Sequence, residues 1–466
     1  MARYGETVAS WRHGALDVSE HGHGDAAATG PEVSAAEVAD QLTDGFWEDL
    51  GRDRRAFDGG LGAPITVNLD GLTAPVREVA RSAFDTWTAM TGLTFVETSG
   101  SAQILVDDQF GGAFASMSVL GTRILRSEVN ISTAWTDFYG TGIDGYSYQT
   151  MLHEIGHALG LGHAGNYNGT AEFGTSNLFA NDSWQISVMS YFSQPQNTTV
   201  DASFAWIVTP MPADILAVQA LYGVAGTLRT GHTVYGDDSS EGGVYGQIQH
   251  LEGPIAYTIL DNGGIDVLRA TTAEEAQYID LSPGAISDVD GLRGNVIIAE
   301  GTWIENARGG SGDDDVIGNA LGNMLAGHDG ADHLHGGAGD DRMRGGRDDD
   351  ILHGGHGDDL LRGGAGADVL EGDAGDDRLR GGHGDDLMSG GIGADSFLFN
   401  KRSGNDVITD FDVGEDMLVF IGRAAGFEGI ETLADGSDTL IVTETQSVRL
   451  DGVQVVDLSH DVFVFV

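Results

Sequence analysis

The chain has no cysteine among its 466 residues, which excludes disulfides and thiol catalysis. No run of about 18 or more apolar residues occurs, so no transmembrane helix is expected. Basic residues are scarce, 23 against 72 acidic, and Lys401 is the only lysine. The resulting net charge of −49 leaves no basis for non-specific attraction to nucleic acid or anionic lipid. The start, Met1 to Gly14, is polar and has no apolar stretch behind a basic end, so no classical signal peptide is read there. A hydrophobic fraction of 41% is too high for disorder throughout. The length suggests roughly two to three domains.

Glycine is abundant: 72 residues, about twice the usual ~7%, with no Gly-x-y period. Residues 1–34 lack periodicity and are expected to be disordered; a metal role for His21 and His23 is set aside in favour of a polar tail. From Ser34 the pattern changes. Ser34 and Glu37 have capping-box spacing, and Ala35 to Trp47 reads as a helix. Strands are expected at Ile65–Leu69, Leu93–Glu97, Ile104–Asp107 and Val129–Ile131, and helices at Ala74–Met90, Tyr148–Leu161 and Pro212–Tyr222. After about residue 232 helical signals stop, and short β-type pieces alternate with Gly, Asp and Asn.

Residues 153–163 read His-Glu-Ile-Gly-His-Ala-Leu-Gly-Leu-Gly-His. His153 and His157 share one helix face. A left-handed Gly160 would end the helix and return His163 to the same point. Three imidazoles would leave the fourth position of a zinc ion open to water, the arrangement of a catalytic site. Glu154, beside that face, is the candidate general base.

From Gly309 to Leu398 ten nine-residue units follow the pattern Gly-Gly-x-Gly-x-Asp-x-apolar-x. The sixth position holds Asp314, Asn323, Asp332, Asp341, Asp350, Asp359, Asp368, Asp377, Asp386 and Asp395; the eighth is always apolar. One apolar residue in nine builds no core alone, but stacked coils align those residues in a column. The same stacking aligns the aspartates. With 20 acidic and 6 basic residues, this stretch carries a net charge of −14. A hard cation such as Ca²⁺, which prefers carboxylate and carbonyl oxygens, would relieve the repulsion.

The nonapeptides resemble the calcium-binding RTX repeat, and 153–163 resembles the metzincin signature. Ser187 to Phe192 is similar to the Met-turn of that clan, with Met189 as its methionine. Tyr191, two residues on, resembles the zinc-ligating tyrosine of serralysins and astacins, and the repeats select serralysins. Further matches are 145–150, Asp214–Gly223, Gly294–Val296, Ile304–Asn306 and Gly404–Phe411. The resemblance implies an α+β metzincin catalytic domain followed by an all-β parallel β-roll. It divides the chain into an N-terminal segment and candidate propeptide (1–34), a catalytic domain (35–232), a β-rich connecting part (233–308), the roll (309–398) and a C-terminal β region (399–466). It implies one catalytic Zn²⁺ on His153, His157, His163 and Tyr191, with Glu154 and Tyr191 catalytic. It also implies several structural Ca²⁺ ions on the nine sixth-position aspartates and on a turn with Asp261 and Asp266.

Departures are Ala164 and Asn166 where proline and aspartate are usual, His232 in place of a calcium-binding aspartate, and Asn323, Leu321 and Asp348 within the repeats. The expected activity is extracellular peptide hydrolysis, with an extended substrate on an edge strand near Ala113 to Ser118. Expected partners are protein or peptide substrates, a candidate proteinaceous inhibitor and the type I secretion machinery of a Gram-negative bacterium. Asp461 to Val466 resembles the export signal and also reads as a final strand. The protein is expected to be secreted and monomeric, with no nucleic-acid partner. The alternative is a calcium-binding RTX structural or adhesive protein with an inactive protease-like domain.

Overall fold

The computed structural model describes residues 7–10 (backbone only), 30–226, 228–401, 403–422 and 426–466; His21 and His23 lie outside them. The chain forms two compact units. The first takes the chain up to Thr230 with Glu241–Asn262 and Leu292–Thr302; the second takes Gly231–Ser240, Gly263–Gly291 and Trp303–Val466. The stretch 233–308 therefore contributes to both.

In the first unit the capping box forms: the Glu37 N–H donates to Ser34 Oγ (3.3 Å) and the Ser34 N–H to Glu37 Oε2 (2.9 Å). The helix beyond it runs from Ala35 to Asp49 through a π-helical turn at Gln41–Gly45. A six-stranded sheet follows, built from β1 (Thr7–Ser10), β2 (Ile65–Gly71), β3 (Phe95–Glu97), β4 (Ile104–Asp107), β5 (Ala113–Leu120) and β6 (Arg123–Ile131) in the order β1-β5-β6-β4-β2-β3. Pairs β2–β3, β2–β4 and β4–β6 are parallel, while β5 is antiparallel to both neighbours.

Two expectations change here. Thr7–Ser10 was expected to be disordered; its backbone pairs with Ser116–Val119 instead. Ala113 to Ser118 was expected to be a sheet edge, but β5 is internal because β1 covers it. Unpaired strand edges attract any segment able to supply a partner backbone.

The helix Ala74–Thr91 buries Val76, Val79, Ala83, Trp87 and Met90, the spacing of one helical stripe. It packs on the helix Tyr146–Ala158, where Trp87 Nε1 donates to Leu152 O (3.2 Å) and the Thr86 and Tyr148 hydroxyls lie 2.7 Å apart. Ser127 Oγ on β6 donates to Ala158 O (2.9 Å), fixing the end of that second helix to the sheet. A short helix, Gly243–Ile248, appears where none was expected. Tertiary packing outweighs its two glycines: Val244, Tyr245 and Ile248 are buried, and the Tyr245 hydroxyl donates to Thr258 O (2.5 Å).

The second unit is a parallel β-roll. Successive nonapeptide strands fall alternately into two sheets, so each strand pairs with the one 18 residues away, as in Leu334↔Leu352 and Met343↔Leu361. Eighth-position residues point inward from both sheets and are almost fully buried. The turns require left-handed backbone: Gly364 has φ +135°, and a Cβ there would collide with Gly346 O. The last strand, Phe463–Phe465, pairs in parallel with Leu418–Phe420.

Candidate metal centres

The helix Tyr146–Ala158 carries His153, Glu154 and His157 and ends before Gly160, whose φ is +110°. That left-handed residue is the expected terminator. It turns the chain so that His163 faces the two helical histidines, and one ligand atom from each of the three lies within 4.8 Å of the others. All three are buried. His153 Nδ1 is 2.8 Å from Val188 O and His157 Nδ1 is 2.9 Å from Leu161 O. A carbonyl only accepts, so each Nδ1 carries the proton and each Nε2 presents its lone pair. His157 Nε2 and His163 Nε2 approach to 3.0 Å. Burial holds His153 down to about 4 and His157 well below its usual value, so these two are neutral nitrogen donors. Such a donor set fits zinc.

Glu154 is 1% exposed, and its Oε2 has no hydrogen-bond partner among the described residues. Burial raises its pKa well above the ordinary carboxyl range. Met189 lies under the helix: a Cβ on Gly156 would come 2.6 Å from Met189 Sδ, so glycine permits this approach. The Tyr191 ring packs edge-on against His163 at 4.5 Å between centroids, and its hydroxyl accepts from the Gly169 N–H (3.4 Å).

Two aspartates hold this turn: Asp182, and Asp214 at the head of the matched run 214–223, to which the sequence assigns no role. Asp214 accepts from Ser187 Oγ (2.6 Å) and from the N–H groups of Val188 and Met211 (both 2.8 Å). Asp182 accepts from Ser190 Oγ (2.6 Å) and the Tyr167 hydroxyl (3.1 Å), and that hydroxyl accepts from the Tyr191 N–H (3.3 Å). Burial pushes Asp182 up to about 7 and Asp214 to about 6. Their place in the sequence carries no periodicity that would mark them. Where aspartate is usual, Asn166 accepts from Gln41 Nε2 (2.9 Å).

In the roll the sixth-position aspartates form two ladders. In one, the N–H groups of Asp314, Asp332, Asp350 and Asp368 each donate to Oδ1 of the aspartate one coil on, at 2.9 to 3.0 Å. The other runs through Asn323, Asp341, Asp359, Asp377 and Asp395 in the same way. From Asp332 to Asp395 every Oδ2 is buried without a hydrogen-bond partner among the described residues. Asp359 Oδ2 and Gly372 O converge on the spot that a Cβ of Gly354 would fill, and Asp377 Oδ2 and Gly390 O do the same at Gly372. Burial drives Asp332 up to about 8 and Asp341, Asp350, Asp377 and Asp386 to about 7. Rows of carboxylate and carbonyl oxygens with unmet charge fit calcium.

Asp314 differs, because its Oδ1 and Oδ2 accept from the Gln277 and Gly310 N–H groups. Asp406 and Asp416 extend the two ladders, accepting from the N–H groups of Asp386 (3.1 Å) and Asp395 (2.9 Å). Counting in nines missed both because the spacing slips to 20 and 21 residues, although each keeps the Asp-x-apolar signature. Asp261 and Asp266 are buried in different units. The Asp261 N–H donates to Thr302 Oγ1 (3.1 Å), and Asp266 Oδ1 accepts from the Thr233 N–H (2.7 Å). His232 Nδ1 accepts from the Ile265 N–H (2.9 Å).

The family model described as Peptidase M10 serralysin C terminal matches residues 225–426. A serralysin of Photorhabdus luminescens is 36% identical over 260 residues, 53% of each chain. Serralysin C of Dickeya chrysanthemi is 32% identical over 332 residues, 65% of this chain and 68% of that one. Metalloprotease AprA of Pseudomonas entomophila is 35% identical over 260 residues, 53% of each. The match spans about half the length of the first of these relatives.

Proposed function

The chain belongs to the serralysin family, and on that premise we propose that it is a secreted, calcium-stabilised zinc endopeptidase acting on extracellular proteins. The observation that carries this reading is the convergence of three buried imidazoles beside a buried carboxyl group. In it His153, His157 and His163 hold the zinc ion, with Tyr191 as a further ligand, on a unit of the metzincin type. The chemistry such an ion supplies when bound is Lewis acidity toward a carbonyl and toward water. Glu154 takes a proton from the attacking water and delivers it to the leaving amine. The Tyr191 hydroxyl donates a hydrogen bond to the oxygen that gains charge. Asp214 and Asp182 act on neither substrate nor water; they position the turn bearing Met189 and Tyr191.

Calcium on Asp332 through Asp395 would fold the roll outside the cell, where the ion is abundant, because binding free energy becomes folding free energy. Scarce calcium inside would leave the repeats unfolded for type I export. Zymography on casein tests the enzymatic reading. Wild-type protein should clear the substrate and a zinc chelator should stop it. Glu154→Ala should give no clearing; clearing by that variant equal to wild type would refute the mechanism.

A further inference from the structure

The two outer faces of the roll differ in charge. One sheet contains Asn306–Arg308, Met324–His328, Arg342–Arg347, Leu360–Ala365 and Arg378–His383. In each strand the two residues flanking the inward apolar side chain face outward. Six of those ten outward positions are arginine (Arg308, Arg342, Arg344, Arg362, Arg378 and Arg380), and the other four are uncharged. The matching positions on the opposite sheet have no arginine and include Asp315 and Glu371. Only 23 of 466 residues are basic, so this clustering is not a product of composition.

The register puts four of the six in one column, Arg308, Ala326, Arg344, Arg362 and Arg380, with Arg269 before Arg308. Adjacent strands are about 4.8 Å apart, so positive charges repeat at that interval from Arg344 through Arg362 to Arg380, with a gap at Ala326 before them. Elsewhere Arg54, Arg81, Arg123 and Arg293 pair with carboxylates. None of the six makes an ion pair among the described residues. Arg344, Arg362 and Arg380 line one shallow depression. Like charges held in register repel, and the guanidinium fork is suited to carboxylate or sulfate.

We infer that this arginine column binds a linear anionic polysaccharide, one carboxylate or sulfate per sugar meeting successive arginines along the roll axis. Charge and shape select this occupant. No aromatic side chain stands among the ten outward positions to stack nucleic-acid bases. The turns leading into the arginine strands carry exposed Asp340, Asp358 and Asp376, which a broad duplex or lipid surface would meet and a single extended chain would avoid. The inference is independent of proteolysis.

The test is fluorescence anisotropy of the full chain in millimolar calcium with a labelled, 1,4-linked polyuronate octamer. The octamer should bind with an affinity that falls as salt rises, and a neutral cello-oligosaccharide should not bind. The triple variant Arg344→Gln, Arg362→Gln, Arg380→Gln should bind about tenfold more weakly, the loss of three exposed charge pairs. Its calcium-induced circular dichroism and casein cleavage should be unchanged. Both proteins share one calcium solution, so cation taken up by the octamer affects them equally. Absence of octamer binding, or equal binding by the triple variant, would overturn the inference. So would oligothymidylate or phosphatidylserine vesicles binding as tightly as the octamer and weakening in parallel in that variant.

Discussion

The histidine cluster and the aspartate ladders are built by opposite means. Each histidine is set by a partner used once: Val188 O for His153, Leu161 O for His157, and the left-handed Gly160 for the return of His163. The ladders reuse one contact, a backbone N–H to the Oδ1 one coil away, from Asp314 to Asp416. A site made of unique contacts has no redundancy, whereas a site made by repetition loses one rung at a time.

The largest expected effect is therefore at His157. Removing an outer partner of a metal-bound histidine typically costs ~10–100-fold in metal affinity, and removing a direct ligand should cost more. His157→Ala should lose zinc by elemental analysis and lose casein cleavage, while calcium-induced dichroism of the roll stays intact. Retention of zinc at wild-type stoichiometry would break the contrast between the two regions. Next in size is Leu361→Ala, in the middle of the buried column. Its cost is expected at about 2–5 kcal/mol in calcium, read from denaturant unfolding. Asp359→Ala should instead raise the calcium concentration at the folding midpoint by a modest factor, because the remaining rungs still bind.

Proton linkage sharpens the comparison further. Asp332, Asp341, Asp350, Asp377 and Asp386 sit at about 7 to 8 in the cation-free fold, against ~3.9 in an unfolded chain. A raised carboxyl pKa means that the folded state holds the proton more tightly. The cation-free roll is thus most stable below about pH 4 and loses stability as pH rises through about 8. In chelator, β-type dichroism should grow as the solution is acidified from about pH 8 to about pH 5. In calcium the trend should reverse, since protons compete for the same oxygens. A flat response in chelator would remove burial of these carboxyl groups as the reason the roll needs a cation.

The same contrast decides what could be read in advance. The roll was legible because its physics is periodic: nine residues fix the turn, the inward side chain and the aspartate together. It faded where the spacing slipped, at Asp406 and Asp416. The histidines were legible because one helix and one glycine bring them together within eleven residues. Asp182 and Asp214 were not, since their roles arise from contacts with Ser190, Tyr167, Ser187 and Val188 that no local pattern encodes. The helix Gly243–Ile248 was missed for a related reason: its glycines argue against helix, and only burial of Tyr245 overrides them.

The smallest predicted effect concerns β1. Its four residues pair antiparallel with Ser116–Val119, on the strand edge where an extended substrate backbone was expected to add. A tethered strand competes with substrate at an effective concentration set by its linker, but four residues give a weak contact. Deleting residues 1–29 frees that edge and leaves the anchor after it, where Pro31 O accepts from the Ala180 N–H (2.8 Å) and the Val33 N–H donates to Asn181 Oδ1 (3.1 Å). The shortened chain should cleave a peptide substrate with KM lowered by about threefold to tenfold and kcat nearly unchanged, because only access to the edge differs. Added back as a free peptide, residues 1–29 should compete with substrate. Unchanged KM on deletion would mean that substrate does not use β5, and the docking edge would have to be sought elsewhere around the histidine cluster.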